Sequence, residues 1–220
     1  APAPAAAPED LDEALYAALR SGRVDAALAA LAAGANAHAL PAAGERDQRN
    51  LPMLAALQGD LRALRQLIAR GVDLNLAHAG MTPLLAATRD SWHGRPEAVM
   101  TLLANGADAR ATDNEGNTPL HHAARSTDPA VAALLLDAGA HVDAINGEGH
   151  SPLAIACASG NWRVARFLIE HGARPEPAGG DPALLAAVSG DDDAGGVQLL
   201  LRHKARVDAR GAEHRTALLQ

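Results

Sequence analysis

A phrase that returns after 33 residues constrains the fold of this chain more than any other feature. Thr118-Pro119-Leu120 returns as Ser151-Pro152-Leu153, and Gly139-Ala140 returns as Gly172-Ala173, both at a spacing of 33 residues. Two independent landmarks with one period indicate a tandem repeat. Such an array needs no single central core, because each unit packs mainly against its neighbours.

The unit from Asp113 to Asn146 shows what is repeated. Thr118 is suited to cap a helix that has Pro119 in its first turn, where the missing N–H of proline costs nothing. A second, apolar helix ends before Gly139, at a position that favours a left-handed residue. The pattern therefore predicts a turn, a short helix, a tight corner, a second helix and a glycine stop.

The unit resembles an ankyrin repeat, a family with a period of about 33 residues and a Thr-Pro-Leu-His phrase. Here that phrase is Thr118 to His121, and the resemblance covers nearly everything after residue 10. It implies an all-α, ankyrin-type helical solenoid, with helix-turn-helix repeats joined by β-hairpin-like turns. It also implies that His121 is a structural residue, tied to backbone groups between repeats.

The predicted array follows an Ala/Pro-rich linker at residues 1–10 and contains about six repeats and a partial seventh. The repeats span residues 11–45, 46–77, 78–111, 112–144, 145–177 and 178–210, with the partial unit at 211–220. Glycine stands at the stop of the first five repeats, whereas the sixth has Lys204. The last unit opens at Thr216 and ends within its first helix, so we expect the sequence to be a fragment of a longer protein.

Composition narrows the function classes. Hydrophobic residues make up 48% of the chain but aromatic residues only 2%, which suits thin helices rich in Ala and Leu. The net charge of -7 argues against sequence-independent binding to nucleic acid. No apolar run approaches the ~20 residues that span a bilayer, so no membrane contact is expected from this fragment. The single cysteine, Cys157, excludes an intrachain disulfide and is predicted to be a buried thiol.

No group of residues has the spacing of a catalytic or metal site. His121 and His122 are adjacent, but neighbouring residues on a helix point about 100° apart, and no third ligand is suitably placed. The role of His122 stays open. The run Asp191 to Asp193 lacks the alternating oxygen ligands and the later glutamate of a calcium loop, so it is interpreted as a solvated corner. We therefore predict no enzyme, no cofactor and no metal.

Two arginines stand out at equivalent positions of neighbouring repeats. Arg89 and Arg125 each follow the apolar part of a first helix, and Asp90 and Ser126 come next in sequence. The family resemblance implies that these positions line a concave face that binds other proteins. Arginines one repeat apart, ~10 Å, would suit carboxylates in an acidic segment of a partner. Ordinary solvated surface charges are the alternative.

Further candidates for partner binding lie in the turns and in an insert. The turn candidates are polar and mixed in charge: Asn114, Glu115, Asn117, Glu148 and His150. The insert of the third repeat contributes Trp92 and His93, which either form an aromatic anchor or fold back over their own repeat. Trp162 lies at helical spacing with Leu168 and is interpreted as core.

These features predict a non-catalytic protein–protein interaction module that binds through the concave face of the array and is monomeric. The identity of its partner does not follow from the sequence, because the fold leaves the binding positions free. The alternative is a regulatory or targeting array of a larger protein with a catalytic or membrane domain outside this fragment. The Ala-rich composition, with more arginine than lysine, fits a bacterial source. A cytoplasmic location is expected, with the bacterial periplasm or secretion as alternatives.

Overall fold

Twelve helices in six consecutive pairs make up the described part of the chain, which comprises residues 7–89, 91, 94–189 and 194–218 of the computed structural model. The pairs are α1 (Pro8–Arg20) with α2 (Val24–Ala32), α3 (Leu51–Ala56) with α4 (Arg62–Ala69), α5 (Pro83–Thr88) with α6 (Pro96–Ala104), α7 (Pro119–Ala123) with α8 (Ala130–Asp137), α9 (Pro152–Ala158) with α10 (Trp162–Glu170), and α11 (Ala183–Val188) with α12 (Ala194–Arg202). The candidates Asp90, Trp92 and His93 and the acidic corner at 191–193 lie outside the described residues.

The pairs stack in the order of the sequence. Each first helix packs against the second helix of its own pair and against the first helix of the next pair. One continuous cluster of buried side chains runs from Leu15 in α1 to Ala205 beyond α12. Because the contacts join neighbouring pairs, the chain forms the helical solenoid that the sequence predicts.

Side chains at the helix starts explain where the first helices begin. Asn50, Thr82, Thr118 and Ser151 each accept a hydrogen bond from the backbone N–H three residues later, and each helix has proline in its first turn. The predicted Thr118 cap is therefore confirmed. The sixth pair differs, since α11 has Pro182 at the cap position and no side-chain cap bond.

The predicted stops adopt left-handed backbone conformations in all six pairs. Gly139 has a φ of 89°, and Lys204 has a φ of 67° at the equivalent position of the sixth pair. A residue with a Cβ pays roughly 1 kcal/mol for that conformation, whereas glycine does not. The sixth stop is thus formed in the predicted way, but at an energetic cost.

The first helix begins earlier than the sequence suggests. A linker is predicted over residues 1–10, whereas α1 already begins at Pro8 and includes Glu9 and Asp10 in its first turn. Proline is tolerated in the first helical turn, and acidic residues there favour the positive end of the helix dipole. The linker prediction is therefore wrong for residues 8–10.

Hydrogen bonds tie the turns of successive pairs together. The backbone N–H of Gly147 donates to the carbonyl of Glu115 at 2.8 Å, and the Asn146 side-chain amide donates to that of Asn117 at 2.8 Å. The β-hairpin-like character is slight, since an isolated antiparallel bridge between His78 and Met81 is the only β pairing within the described residues. The turns are therefore held mainly by contacts with the adjacent turn.

Trp162 packs partly against the core, as predicted, and its ring also meets the next pair. A Cβ built on Gly196 in α12 would overlap that ring. We expect Gly196→Ala to lower the free energy of unfolding by about 1–3 kcal/mol, because the ring or α12 has to shift. Urea denaturation tests this. Gly59→Ala is the matched control, since no atom lies within 4 Å of its built Cβ; equal effects of the two changes would show that the ring does not require glycine.

Candidate protein-interaction surface

A buried hydrogen-bond network lies beneath the turn that precedes α7. The Asp113 side chain is 8% exposed, and its carboxylate accepts a hydrogen bond from Nε2 of His122 at 2.9 Å. The same carboxylate accepts from the backbone N–H groups of Glu115 at 3.0 Å and Asn117 at 2.9 Å. Three donors on one buried carboxylate fix the conformation of this turn.

The ionisation of Asp113 follows from these donors. Burial by itself raises the pKa of this carboxyl, but hydrogen bonds from the Asn117 N–H, the His122 ring and the Glu115 N–H outweigh it. The net result is a pKa below the usual 3.8. Asp113 is therefore ionised at neutral pH and acts only as an acceptor, which makes Nε2 of His122 the donor.

His121 connects two successive repeats. Its side chain is fully buried, its Nδ1 accepts from the backbone N–H of Thr118 at 3.0 Å, and its Nε2 lies 3.0 Å from the carbonyl of His150. Because Nδ1 is an acceptor, the proton is on Nε2, which donates to that carbonyl. The structural role implied by the family resemblance is confirmed.

His122, whose role the sequence leaves open, is a second buried histidine. Burial lowers its pKa, the Asp113 carboxylate opposes that change, and the charges of Arg125 and Arg89 add to the lowering. Both arginines are therefore close enough to His122 for their charges to act on the same ring. The Asp113–His122 pair is buried, with side chains that are 8% and 5% exposed.

These histidines predict a loss of stability in mild acid. Burial is the largest cause that lowers the pKa of His121 and of His122 below the ordinary 6.5. The unfolded chain then binds more protons as the pH falls through about 6.5, so their contribution is full above that value and is lost below it. Asp113, with its lowered pKa, acts in the same direction at lower pH.

We therefore expect the free energy of unfolding to fall between about pH 7 and about pH 5, as measured by urea denaturation at each pH. The variant His122→Asn keeps a side-chain N–H for Asp113 but takes up no proton, and it should show a smaller fall. A stability that does not change over this range in the unmodified chain would contradict the assignment of two buried neutral histidines.

The two candidate arginines are exposed at the edge of the core. Arg89 follows Thr88, which is 3% exposed, and Arg125 follows Ala124, which is fully buried. Arg89 also lines a shallow cavity of about 120 Å³, together with the turn residues Asp113, Asn114 and Glu115 and residues 79–81. The structure thus brings Arg89 together with two of the predicted turn residues, Asn114 and Glu115, both of which are exposed.

Glu148 and His150 lie in a second cleft, of about 330 Å³, between the fifth and sixth pairs. Nδ1 of His150 is 3.5 Å from Glu148, and its Nε2 is 4.0 Å from Asp181. The sequence does not identify Asp181 as a residue of this cleft, because its position before Pro182 suggests a cap for α11. Instead of capping α11, its carboxylate accepts from the backbone N–H of Ala212 at 2.8 Å.

Two predicted site residues belong to the scaffold instead of the surface. Asn117 is 4% exposed and accepts the hydrogen bond from Asn146, while Ser126 is 1% exposed and exchanges hydrogen bonds with the Asp128 backbone at 3.3 Å. Because both side chains are buried, we do not include them in the surface proposed below. Short polar side chains at turns often satisfy nearby backbone groups, and these two do so.

Potential metal ligands and the single thiol are the groups on which a metal site or a cysteine-based site would depend. The described residues contain no group of three or more His, Cys, Asp or Glu side chains placed to hold a metal ion. Cys157 is 2% exposed, and burial raises the pKa of its thiol to about 12, so it is not a reactive thiolate at neutral pH. In the same part of the chain, no helix has the length and apolar character to cross a membrane.

Known proteins similar to this chain share segments of repeats. The chain is 40% identical over 87 residues to Protein PhlB of Serratia liquefaciens, which covers 39% of this chain and 37% of that protein. It is 48% identical over 61 residues to the Arf-GAP with ANK repeat and PH domain-containing protein cnt-1 of Caenorhabditis elegans, covering 28% of this chain and 7% of that protein. With human Neurogenic locus notch homolog protein 2 it shares 34% over 125 residues, covering 56% of this chain and 5% of that protein.

The solved structures extend the similarity to nearly the whole chain. The crystal structure of the human ASB11 ankyrin repeat domain matches with a TM-score of 0.80 at 25% sequence identity, covering 93% of this chain and 90% of that chain. A family model described as ankyrin repeats, in three copies, matches residues 14–113, 52–146 and 84–178. Ankyrin repeats are generally protein–protein interaction modules and typically non-catalytic. Since these matches cover more than half of the sequence, the chain belongs to the ankyrin repeat family.

Proposed function

We propose that this chain is a non-catalytic module that binds a protein partner through the exposed ends of its first helices and the tips of its turns. We call this surface the turn face. It comprises Arg89, Asn114, Glu115, Arg125, Glu148 and His150. The observation that carries the proposal is the exposure of Asn114 and Glu115 on a turn that the buried Asp113–His122 pair holds, with the exposed Arg89 lining the same cavity. A turn that is already ordered lowers the entropic cost of binding.

Charge on the turn face indicates the chemistry of the partner. Arg89 and Arg125 are exposed at the ends of the first helices of the third and fourth pairs, so two positive charges lie on this part of the turn face. Each suits a carboxylate in a bidentate arrangement. The cleft between the fifth and sixth pairs instead contains the carboxylates of Glu148 and Asp181. A complementary partner would place an acidic segment on the arginines and a cationic group in that cleft.

A regulatory or targeting array within a larger protein is the second candidate function. Two relatives are much longer than the segment that matches this chain, which favours this candidate. The segment covers 7% of cnt-1 and 5% of human notch homolog protein 2. In that case the turn face would bind either another domain of the same polypeptide or a separate protein. Binding measured with this chain alone and with any longer polypeptide that contains it separates the two cases.

The experiment is a pull-down with mass spectrometry from a lysate of the source organism, followed by titration of the captured partner. Arg89→Glu/Arg125→Glu should weaken retention roughly tenfold or more and reduce its dependence on salt. Arg23→Glu/Arg65→Glu is the matched control, since both side chains are exposed and make no ion pair within the described residues. Retention and salt dependence unchanged by the Arg89/Arg125 variant would refute the proposal.

A further inference from the structure

A second groove, which we call the outer groove, contains none of the turn-face residues. It has a volume of about 400 Å³ and is lined by Pro129, Trp162, Arg163, Arg166, Phe167 and Glu170. All of these belong to α10 except Pro129, which caps the second helix of the preceding pair. The groove therefore runs between the second helices of the fourth and fifth pairs, and its volume is within the ~300–1,000 Å³ typical of binding pockets.

The apolar side of the groove consists of α10 side chains that the core covers only in part. Val164 and Leu168 are fully buried in the core, whereas Trp162 and Phe167 are only partly buried on the flank of the helix. The next pair covers one side of Trp162 at Gly196, so the remaining ring surface faces the groove. The Phe167 ring lies against His171, with ring centroids 4.0 Å apart, which fixes its orientation.

The charged rim of the groove is cationic and unpaired within the described residues. Arg163 and Arg166 are exposed, and neither makes a hydrogen bond or an ion pair with any described group. By contrast, Arg62 in α4 binds Asp25 at 2.9 Å and Asp60 at 2.6 Å. Glu170 supplies the only carboxylate among the groove-lining residues. The rim therefore carries a net positive charge on a chain whose total is -7.

Aromatic and arginine side chains around a partly desolvated apolar surface form the composition that most often dominates binding energy at protein interfaces. We propose that the outer groove binds a short acidic peptide segment of a protein partner, with a Leu or Phe side chain between Trp162 and Phe167 and flanking carboxylates on Arg163 and Arg166. This site is distinct from the turn face, so it adds a second surface to the proposed function.

The test uses a synthetic peptide, acetyl-Asp-Glu-Leu-Phe-Glu-Asp-amide, and the fluorescence of Trp162. The chain has two tryptophans, so Trp92→Phe leaves Trp162 as the only reporter. The peptide should produce a saturable shift in Trp162 emission. In that background Arg163→Glu/Arg166→Glu should weaken binding roughly tenfold or more, because two attractive charges become repulsive. Arg23→Glu/Arg65→Glu and Arg89→Glu/Arg125→Glu should leave the affinity unchanged, and the latter separates this site from the turn face.

Four results would overturn the proposal. The first is the absence of saturable binding at millimolar peptide concentrations. If the Trp92→Phe variant does not fold, isothermal titration calorimetry of the unmodified chain measures the same binding. The second is unchanged affinity for a peptide in which Lys replaces every acidic residue, or for one in which Ser replaces both Leu and Phe. The third is loss of binding only in the Arg89/Arg125 variant, which would place the peptide on the turn face. The fourth is self-association of the chain that Arg163→Glu/Arg166→Glu abolishes, which would make a second copy the occupant.

Discussion

Replacing Leu120 by alanine should lower the free energy of unfolding by about 2–5 kcal/mol. Leu120 is fully buried in α7, a helix of five residues that packs against α5, α8 and α9. Such a short helix has little stability of its own, so it depends on this contact with its neighbours. Because helices on several sides hold the site open, the cavity left by the missing atoms cannot collapse fully. Leu135 and Leu153, also fully buried, should behave in the same way.

Urea denaturation followed by circular dichroism measures this effect. Leu201→Ala is the matched control, since that side chain is 42% exposed on α12 and its truncation should cost less than about 1 kcal/mol. Stability in a stacked array is a sum of repeat and interface contributions, so the variant should weaken the fourth pair and the two interfaces beside it. A change for Leu120→Ala as small as that for Leu201→Ala would contradict the stacking described for α7.

Replacing Asp113 by alanine should lower the free energy of unfolding by about 2–4 kcal/mol, because the change leaves three donors, one of them on the buried His122 ring, without their acceptor. The donors are the His122 ring and the backbone N–H groups of Glu115 and Asn117. Since the same carboxylate holds the turn that presents Asn114 and Glu115, this variant should also weaken partner binding.

Asp137→Ala provides the control for the loss of one carboxylate, because Asp137 is exposed at the end of α8. Its effect on stability should stay within about 0.5 kcal/mol. Hydrogen exchange locates the damage: Asp113→Ala should speed exchange at the turn before α7 more than at α1 and α2. Equal stability of the two alanine variants would mean that the buried carboxylate does not organise the turn.

The elements that local chemistry determines could be predicted from the sequence. The Thr118 cap and the left-handed stop at Gly139 depend on residues within one turn of the helix end, and both are formed as predicted. Lys204 shows the strength of the pattern, since it adopts the left-handed conformation without being glycine. The start of α1 at Pro8 does not follow from the sequence, because Ala/Pro composition does not distinguish a linker from the first turn of a helix.

The exposure of the candidate site residues cannot be predicted from the sequence of a single repeat. Asn117 and Asn114 are both short amides in the same turn, yet Asn117 is buried because Asn146 of the next repeat donates to it. The hydrogen-bond partner of His122 is Asp113, which lies nine residues earlier in the turn before α7. The spacing of residues within the helix therefore does not predict this contact. Asp181 and Arg215 line the same cleft although they belong to different units. Such placements depend on contacts between repeats.

Hydrogen–deuterium exchange of this chain, alone and in complex with the partner captured in the pull-down, maps the binding surface directly. We expect binding to slow exchange at the turns 113–117 and 146–150 and at the ends of α5 and α7, with the strongest effect around Arg89 and Arg125. Protection restricted to the second helices, or no change at the turn face in a saturated complex, would contradict the claim that stacked helix pairs present this surface for recognition.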